Sequence, residues 1–219
     1  MVILLSLVSC AQDNSRKGGF NSWDAQNLLG EVRQLTMTTF AAEVVGLQRH
    51  TSNTLSSVTF KFDKKGFEEV MECYDQDGKL AIVSTPQYRN GVVSGTISKD
   101  LTGKTTEIWT ITKTHDNFFA EEMHSTKDGK PYQKAVNSFD DKGRISKIEV
   151  RDADGSLSMR IERDYYDSGD MKSERITYPD RTTLSKFTYV NHDKLGNWTE
   201  RLDDVDGNIQ LTKRAIAYY

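Results

Sequence analysis

The stretch "YDQDGKL", Tyr74 to Leu80, contains an Asp followed three residues later by a Gly, and this spacing recurs along the chain. With Gly near its average usage of about 7%, chance would place a Gly there after roughly one or two of the twenty Asp residues. The spacing instead occurs seven times: at Asp63 and Gly66, Asp75 and Gly78, Asp100 and Gly103, Asp140 and Gly143, Asp152 and Gly155, Asp193 and Gly196, and Asp204 and Gly207.

The chemistry of the two residues predicts a tight turn. An Asp at the first position of a type I turn accepts hydrogen bonds from backbone amides ahead of it, and the fourth position needs a positive φ, which Gly adopts without a steric penalty. Between turns, apolar residues alternate with polar ones, as at Leu157, Met159 and Ile161, which is the period of a half-buried strand. Turn signals arrive roughly every eleven to sixteen residues, enough for one strand and one hairpin turn.

We therefore predict an all-β fold over residues 30–219. It would be a long antiparallel β-meander of about a dozen strands, built from hairpin repeats, forming a single curled sheet or an open, barrel-like one. Pro131 and Pro179 fall at predicted turns, whereas Pro86 fits this scheme least well because proline weakens a strand interior.

The fragments "DQDG", "DADG" and "DVDG" also resemble part of a calcium-binding loop. That loop requires a bidentate Glu at its twelfth position. Counted from the first Asp of each fragment, the twelfth residue is Pro86, Arg163 or Ala215. These fragments are therefore interpreted as turns, and no metal site is predicted.

The opening run "MVILLSLVSC" is apolar, ends in Cys10 and is followed by the polar stretch "AQDNSRKGG". Its last four residues, Leu7 to Cys10, resemble a bacterial lipobox, the motif at which a signal peptidase leaves a lipidated cysteine as the new N-terminus. The resemblance implies a signal peptide over residues 1–10, lipidation of Cys10 and a tether over residues 11–29. No Lys or Arg precedes the run, and the alternative is a buried N-terminal strand ending in an ordinary cysteine.

This N-terminus sets the expected location in the cell. The apolar run is shorter than the roughly twenty residues that a bilayer-spanning helix needs, so acyl chains on Cys10 would hold the protein at the membrane. Ala11 and Gln12 follow the cysteine, without the Asp that signals retention in the inner membrane. We expect the outer membrane, with the leaflet left open. Within the tether, Ser22 would cap a short helical turn that stops at Gly30.

Four of the turn segments carry a longer shared pattern: "FDKKGF" at 62–67, "YDQDGKL" at 74–80, "FDDKGRI" at 139–145 and "HDKLGNW" at 192–198. These segments resemble the YD repeats of Rhs-type proteins, an aromatic residue and Asp followed by Gly and an apolar residue. The C-terminal stretch "DKLGNWTERLDDVDGNIQLTKRAIAYY" is similar to repeat-bearing lipoproteins of Gram-negative bacteria. The resemblance covers about residues 58–219 and implies a repeat architecture rather than an activity, because the chain has too few repeats for a toxin-enclosing cocoon.

Composition argues against a nucleic-acid partner. The 219 residues carry a formal net charge of −3, and Lys and Arg are scattered singly among Asp and Glu. Charged residues make up 28% of the chain and aromatic residues 10%, which favours an ordered fold with much wetted surface. We expect a monomer.

Catalytic signals are weak. The histidines show no metal-binding spacing, and Cys73 lies on a predicted strand as a packed free thiol, so no cofactor is predicted. The best local cluster is Glu121, Glu122 and His124, in which Glu122 and His124 would share a strand face and could act as an acid–base pair. The alternative function is thus an envelope enzyme acting on a glycan or a peptide.

The preferred function is a non-catalytic binding or scaffold module of the cell envelope, with a protein or a glycan as its partner. Exposed rings on a sheet face can stack on sugars or anchor a peptide, although such rings are more often cross-strand core pairs. A closed cleft with buried carboxylates would favour the enzyme, and an open sheet without them would favour the binding module. The candidate rings are Trp109, Phe118, Phe119, Tyr132 and Trp198.

Overall fold

The computed structural model describes residues 22–45, 48–89, 92–114 and 120–219. In these ranges it contains one short helix, α1 (Ser22–Ala25), followed by fourteen strands. The strands are β1 (Val32–Val45), β2 (Gln48–Phe62), β3 (Glu68–Tyr74), β4 (Leu80–Arg89), β5 (Val92–Asp100), β6 (Thr105–Thr114), β7 (Ala120–Lys127), β8 (Lys130–Phe139), β9 (Ile145–Asp152), β10 (Leu157–Tyr165), β11 (Met171–Thr177), β12 (Thr182–His192), β13 (Trp198–Val205) and β14 (Asn208–Tyr218).

The strands form one closed antiparallel barrel in which each strand pairs with its neighbours in the chain. Closure comes from β1 and β14, which pair from Val32 opposite Tyr218 to Ala41 opposite Gln210, with one shift in register between Val32 and Gln34. The predicted all-β meander of about a dozen strands, curled or barrel-like, is confirmed. Pro86 lies inside β4, opposite Thr96 of β5, and is buried.

The seven Asp-x-x-Gly glycines all have positive φ, between 74° and 93°. At the turn after β2, Gly66 N–H donates to the Asp63 carbonyl (3.0 Å), and the Asp63 carboxylate accepts from the amides of Lys65 (2.8 Å) and Phe67 (3.0 Å). The turns that begin at Asp75, Asp100, Asp140 and Asp193 repeat this arrangement. The carboxylate thus fixes the turn, and the glycine returns the chain to the next strand.

Two of the seven units use their Asp differently. At 152–155 the backbone bonds are the same, but the Asp152 carboxylate accepts from the side chain of Gln133 (3.0 Å). At 204–207 the turn is a two-residue one, since Asp206 and Gly207 both have positive φ, and Asp204 accepts from the Gly207 amide (2.8 Å).

Successive strands alternate in direction, so the turns fall at two ends of the barrel. The end where β1 begins and β14 finishes, called here the N-terminal end, carries the turns at residues 63–67, 140–144, 166–170 and 193–197. The opposite end, called the distal end, carries the turns at residues 75–79, 101–104, 128–129, 153–156, 178–181 and 206–207.

Most of the buried side chains lie on the inner face of the sheet. Leu35 lies opposite Phe60, and Phe60 lies opposite Met71, so the three project to the same side, and each is at most 7% exposed. A second cluster runs across β6 to β10 and includes Trp109, Met123, Ala135, Phe139, Ile145, Ile148, Val150 and Ile161. Because the sheet closes on itself, this buried face is the interior of the barrel.

The segment at residues 22–31 folds over the N-terminal end. Ser22 and Leu28 are buried, and the Trp23 indole donates to the Val32 carbonyl (2.7 Å). Hydrogen bonds also join this segment to three parts of the barrel: Ser22 to Gly66, Asn27 to Asp170, and Leu29 to Asn197. Residues 22–29, which the sequence assigns to the tether, therefore pack against the barrel.

The turn geometry predicts the effect of replacing Gly143. A Cβ built there meets nothing within 4 Å, so Gly143→Ala should lose stability only through its positive φ of 75°. We expect the free energy of unfolding to fall by about 1 kcal/mol, as measured by urea denaturation. Gly143→Asn should cost less, because Asn tolerates this conformation better. Unfolding curves for Gly143→Ala that match the parent chain would contradict the turn assignment.

Candidate functional site

A cavity of about 290 Å³ opens at the N-terminal end, between the turn after β2 and the end of β4. The turn positions part of its wall, because the Asp63 carboxylate binds the Phe67 amide and thereby fixes the residue that follows Gly66. The lining residues are Asp63, Phe67, Glu68, Glu69, Pro86 and Tyr88.

Two aromatic rings form adjoining walls of this cavity. The centroids of Phe67 and Tyr88 are 5.6 Å apart and their planes meet at 77°, an edge-to-face arrangement. The Tyr88 hydroxyl donates to the backbone carbonyl of Glu68 (2.7 Å), which fixes the ring relative to β3. Tyr88 is 37% exposed, so one side of the cavity is accessible from solvent.

Glu68 reaches the interior because of a β-bulge. Lys61 lies opposite Val70, whereas Phe62 lies opposite Glu68, so Glu69 is the extra residue on β3. The bulge turns Glu68 to the side of Phe62, and its amide donates to the Ser22 hydroxyl (2.9 Å) beneath the N-terminal segment. The N-terminal segment therefore holds the Glu68 backbone in place, and only 3% of the residue is exposed.

Burial favours the neutral form of the Glu68 carboxyl. Its Oε2 atom has no hydrogen-bond partner among the described residues, and burial raises its pKa to about 8. The thiol of Cys73 on the same strand also has a raised pKa, through burial and then through the charge of Glu68. A buried carboxyl beside a cavity is the kind of perturbed group that often marks a functional site.

The lining of the cavity favours a positively charged ligand. Asp63 and Glu69 carry carboxylates, Glu68 adds a carboxyl group whose neutral form is favoured by burial, and none of the six lining residues is basic. Aromatic faces attract cations through their quadrupoles, most strongly quaternary and alkyl ammonium groups that are readily desolvated. Carboxyl groups beside two perpendicular rings therefore form a site that can take a small organic cation.

A second polar cluster lies inside the barrel, on β13 and β14. The Arg201 guanidinium donates to both carboxylate oxygens of Asp203 (2.6 and 2.9 Å), and the Thr212 hydroxyl donates to the same carboxylate (2.7 Å). Burial lowers the pKa of Arg201, but the bonds to Asp203 outweigh burial and raise it overall. This ion pair is bidentate and well satisfied.

Arg214, on the neighbouring strand, is satisfied only in part. Its guanidinium lies 3.7 Å from the ring centroid of Trp198, and its Nη2 donates to the Gln26 carbonyl of the N-terminal segment (3.2 Å). Its buried Nε and Nη1 atoms have no partner among the described residues. Burial, and then the nearby charge of Arg201, lower its pKa to about 9. The N-terminal segment thus covers two incompletely paired ionisable groups, Glu68 and Arg214.

The ring residues named from the sequence do not come together. Trp109 and Trp198 are each 3% exposed and pack inside the barrel, as cross-strand core residues do. Trp109 also lines a smaller cavity of about 200 Å³. Tyr132 is 39% exposed on β8 near the distal end, with Lys127 Nζ 5.1 Å from its ring centroid. Phe118 and Phe119 lie outside the described residues.

The acid–base pair named from the sequence lies on β7. His124 is exposed on the strand, and the side chains of Glu121 and Glu122 lie outside what is described. The barrel is closed and holds a buried carboxyl beside a cavity, but that carboxyl belongs to Glu68. In the described ranges, no group of three or more His, Cys, Asp or Glu residues could hold a metal ion. Cys10 lies outside the described residues.

No pattern in the sequence marks Phe67, Glu68, Tyr88, Arg201 or Arg214. Leu202 pairs with Leu211 on the face opposite to Arg201 and Thr212, so the apolar alternation alone would not turn the arginines inward. The inward position of Glu68 depends on the bulge.

No protein-family model and no curated protein matches the chain. Among solved structures, the chain is similar to porin-like proteins from Bacteroides uniformis and Bacteroides vulgatus. The identities are 12% and 11% and the TM-scores 0.46 and 0.47, covering 85% and 86% of this chain and 98% of each of theirs. A LolA superfamily protein from Nitrosomonas europaea is 9% identical with a TM-score of 0.31, covering 92% of this chain and 94% of that one. With TM-scores this low, these likenesses carry no argument about function.

In the described part of the chain, no helix has the length and apolarity that a membrane-crossing helix requires.

The two buried arginines should respond oppositely to replacement by methionine. Arg201→Met leaves the Asp203 carboxylate buried without its cation, and should lower the free energy of unfolding by about 3 kcal/mol. Arg214→Met removes a cation with two unpaired N–H groups while keeping an apolar stem over Trp198, so stability should stay equal or rise. Chemical denaturation of both variants measures the difference. A larger loss for Arg214→Met would mean that its guanidinium is well solvated or paired.

Proposed function

We propose that this protein is a non-catalytic binding module of the cell envelope that takes a small organic cation in the cavity at the N-terminal end. The observation that carries the proposal is the cavity lining: two perpendicular rings, three carboxyl groups and no basic side chain. Ligand pockets commonly combine apolar walls with a few placed polar groups. At about 290 Å³, this cavity suits a group the size of a substituted ammonium rather than a polymer.

The proposal includes an anchor and a repeat architecture. Lipidation of Cys10 would hold the barrel at the outer membrane, and the Asp-x-x-Gly turns would be YD-type repeats that build the barrel. The four segments quoted for the repeat resemblance form turns at both ends, so the repeat supplies scaffold geometry throughout. A protein or glycan carrying an ammonium or amine group would present the same chemistry to the cavity as a free small molecule.

Binding is tested with choline as the cationic probe and 3,3-dimethylbutan-1-ol, its uncharged analogue of nearly the same shape. Choline should bind in isothermal titration calorimetry and the alcohol should bind far more weakly, because only the cation is attracted by the rings and carboxyl groups. Tyr88→Leu should weaken choline binding by about twofold to thirtyfold, the range expected for one cation–π contact. Tyr132→Leu is the matched control, because Tyr132 is similarly exposed but lies far from the cavity.

The pH dependence of choline affinity tests whether Glu68, rather than another lining residue, pairs with the cation. If the cation pairs with ionised Glu68, affinity should rise by up to about tenfold per pH unit from pH 6 and level off once the pH has passed the carboxyl's pKa of about 8. Asp63 and Glu69 share the lining, and Cys73 lies near Glu68 on the same strand. Glu68→Gln should remove the dependence. Equal affinity for choline and the alcohol would contradict the proposed cation site.

One observation favours a second function. A carboxyl beside a cavity whose pKa is raised by burial could serve as a general acid, which would make the protein an envelope enzyme centred on Glu68. An acid–base mechanism also needs a partner for that acid, and Glu68 Oε2 is hydrogen-bonded to none of the described residues. The binding module is therefore the better-supported function.

A further inference from the structure

Exposed apolar side chains are concentrated at one end of the barrel. Among the described residues, eight large hydrophobic side chains are exposed, and five of them lie at the N-terminal end, where the N-terminal segment crosses the barrel. The five are Leu29, Tyr88, Tyr166, Leu195 and Tyr219. Large exposed apolar residues that cluster, rather than scatter singly, mark interaction surfaces.

Two of these residues, Leu29 and Leu195, are held side by side. A Cβ built at Gly30 would lie 2.8 Å from Leu195 Cδ1, and one built at Gly196 would lie 3.4 Å from Leu29 Cδ1. Asn197 locks the two segments together, since its side chain accepts from the Leu29 amide (2.7 Å) and donates to the Leu29 carbonyl (2.8 Å). The two leucines, 53% and 43% exposed, therefore form one rigid apolar projection.

Tyr166 lies at the same end of the barrel, in the neighbouring turn, with its ring centroid 6.3 Å from that of Tyr189. Its turn contacts the N-terminal segment, because the Asn27 side chain donates to Asp170 (2.7 Å) and a Cβ at Gly169 would lie 2.9 Å from Asn27 Oδ1. The Tyr166 hydroxyl donates to the Phe187 carbonyl (3.1 Å), which leaves the ring 41% exposed in a fixed position. We call Leu29, Leu195 and Tyr166 the apical patch.

The chain leads from this end to the cysteine of the lipobox. The Ser22 amide donates a hydrogen bond to the Gly66 carbonyl at the N-terminal end, and residues 11–21 separate Ser22 from Cys10. An anchor on Cys10 would therefore draw the N-terminal end, rather than the distal end, toward the bilayer. Leucine and tyrosine side chains favour the boundary between head groups and acyl chains, and an exposed lysine such as Lys194, beside Leu195, can extend its ammonium group to the head groups.

We propose that the apical patch is a membrane-docking surface that lies in the head-group region of the bilayer and sets the orientation of the barrel. The proposal rests on the anchoring of Cys10 in the proposed function. The apolar side chains of the patch contact the bilayer at the point where the tether joins the barrel. Because the tether keeps the patch close to the bilayer, this contact persists even if the patch alone binds weakly.

The test uses the full chain carrying Cys73→Ser, coupled through the Cys10 thiol to a maleimide lipid in vesicles of phosphatidylethanolamine and phosphatidylglycerol. Hydroxyl-radical footprinting then compares the vesicle-bound chain with the uncoupled chain. Leu195 and Tyr166 should be oxidised several-fold more slowly on the vesicle. Leu101 and Tyr132 are matched residues near the distal end, at 63% and 39% exposure, and should be unchanged. Equal protection of both ends, or stronger protection of Leu101, would overturn the proposal.

A double variant tests whether Tyr166 is protected by docking of the apical patch or only by its closeness to the vesicle. Leu29→Gln combined with Leu195→Gln should abolish the protection of Tyr166, whereas Leu101→Gln should leave it intact. Protection of Tyr166 that survives the double substitution would overturn the role of the leucines.

The anchor is tested independently by the mass of the mature N-terminus from native membranes. An unmodified Cys10 there would overturn the natural anchor without changing the footprint of the coupled chain. A lipidated Cys10 together with equal footprints at both ends would overturn the docking proposal and leave the anchor intact.

Discussion

The pairing of β1 with β14 is the constraint on which the rest of the structure depends. These strands are the first and last of the meander, and without their pairing the sheet would end in two unpaired edges, each a template for aggregation. Closure removes both edges and makes one face of every strand an interior. It also brings the start of β1 beside the end of β14, where the Tyr219 amide donates to the Glu31 carbonyl (3.0 Å). The N-terminal segment is thereby placed across that end.

Some of the buried charged groups in the barrel are paired with an opposite charge, and others are not. Arg163 and Glu174 pair at 2.8 Å across β10 and β11, and Arg201 is matched to Asp203, so these ions are compensated. Glu68 and Arg214 are not fully compensated, and both residues are hydrogen-bonded to residues 22–31, Glu68 through its amide and Arg214 through its guanidinium. Burial shifts both pKa values toward the neutral form, which lowers the cost without removing it. A fold selected for stability alone would have apolar residues at both positions.

The sequence predicts the features that are local. Each Asp-x-x-Gly turn is decided by a few adjacent residues, so the turn positions, the antiparallel meander and its approximate number of strands follow from spacing alone. Closure is different, because the register of Leu35 with Ile216 joins residues at opposite ends of the chain and no local pattern encodes it. The packing of Leu29 against the barrel was missed for the same reason, since its partner Asn197 is remote in the sequence.

The candidate site was missed for a geometric reason. Trp109 and Trp198 were candidate binding rings, but the alternation of their strands turns both into the core, where such rings are more often found. Glu68 was unremarkable in "FEEVMEC" because strict alternation from Met71 would place it on the outer face. A single bulge at Glu69 reverses that direction. The cavity is thus created by one irregular residue and by the closed barrel around it.

Closure of the barrel is most directly tested by a disulfide between β1 and β14. Thr36 lies opposite Ala215, so the chain with Thr36→Cys and Ala215→Cys, in a background of Cys10→Ser and Cys73→Ser, should oxidise readily. A closed barrel should give an intramolecular disulfide in a monomer, shown by intact mass and non-reducing electrophoresis, with no loss of thermal stability. Thiols that stay reduced under oxidising conditions, or that crosslink only between chains, would contradict a closed barrel.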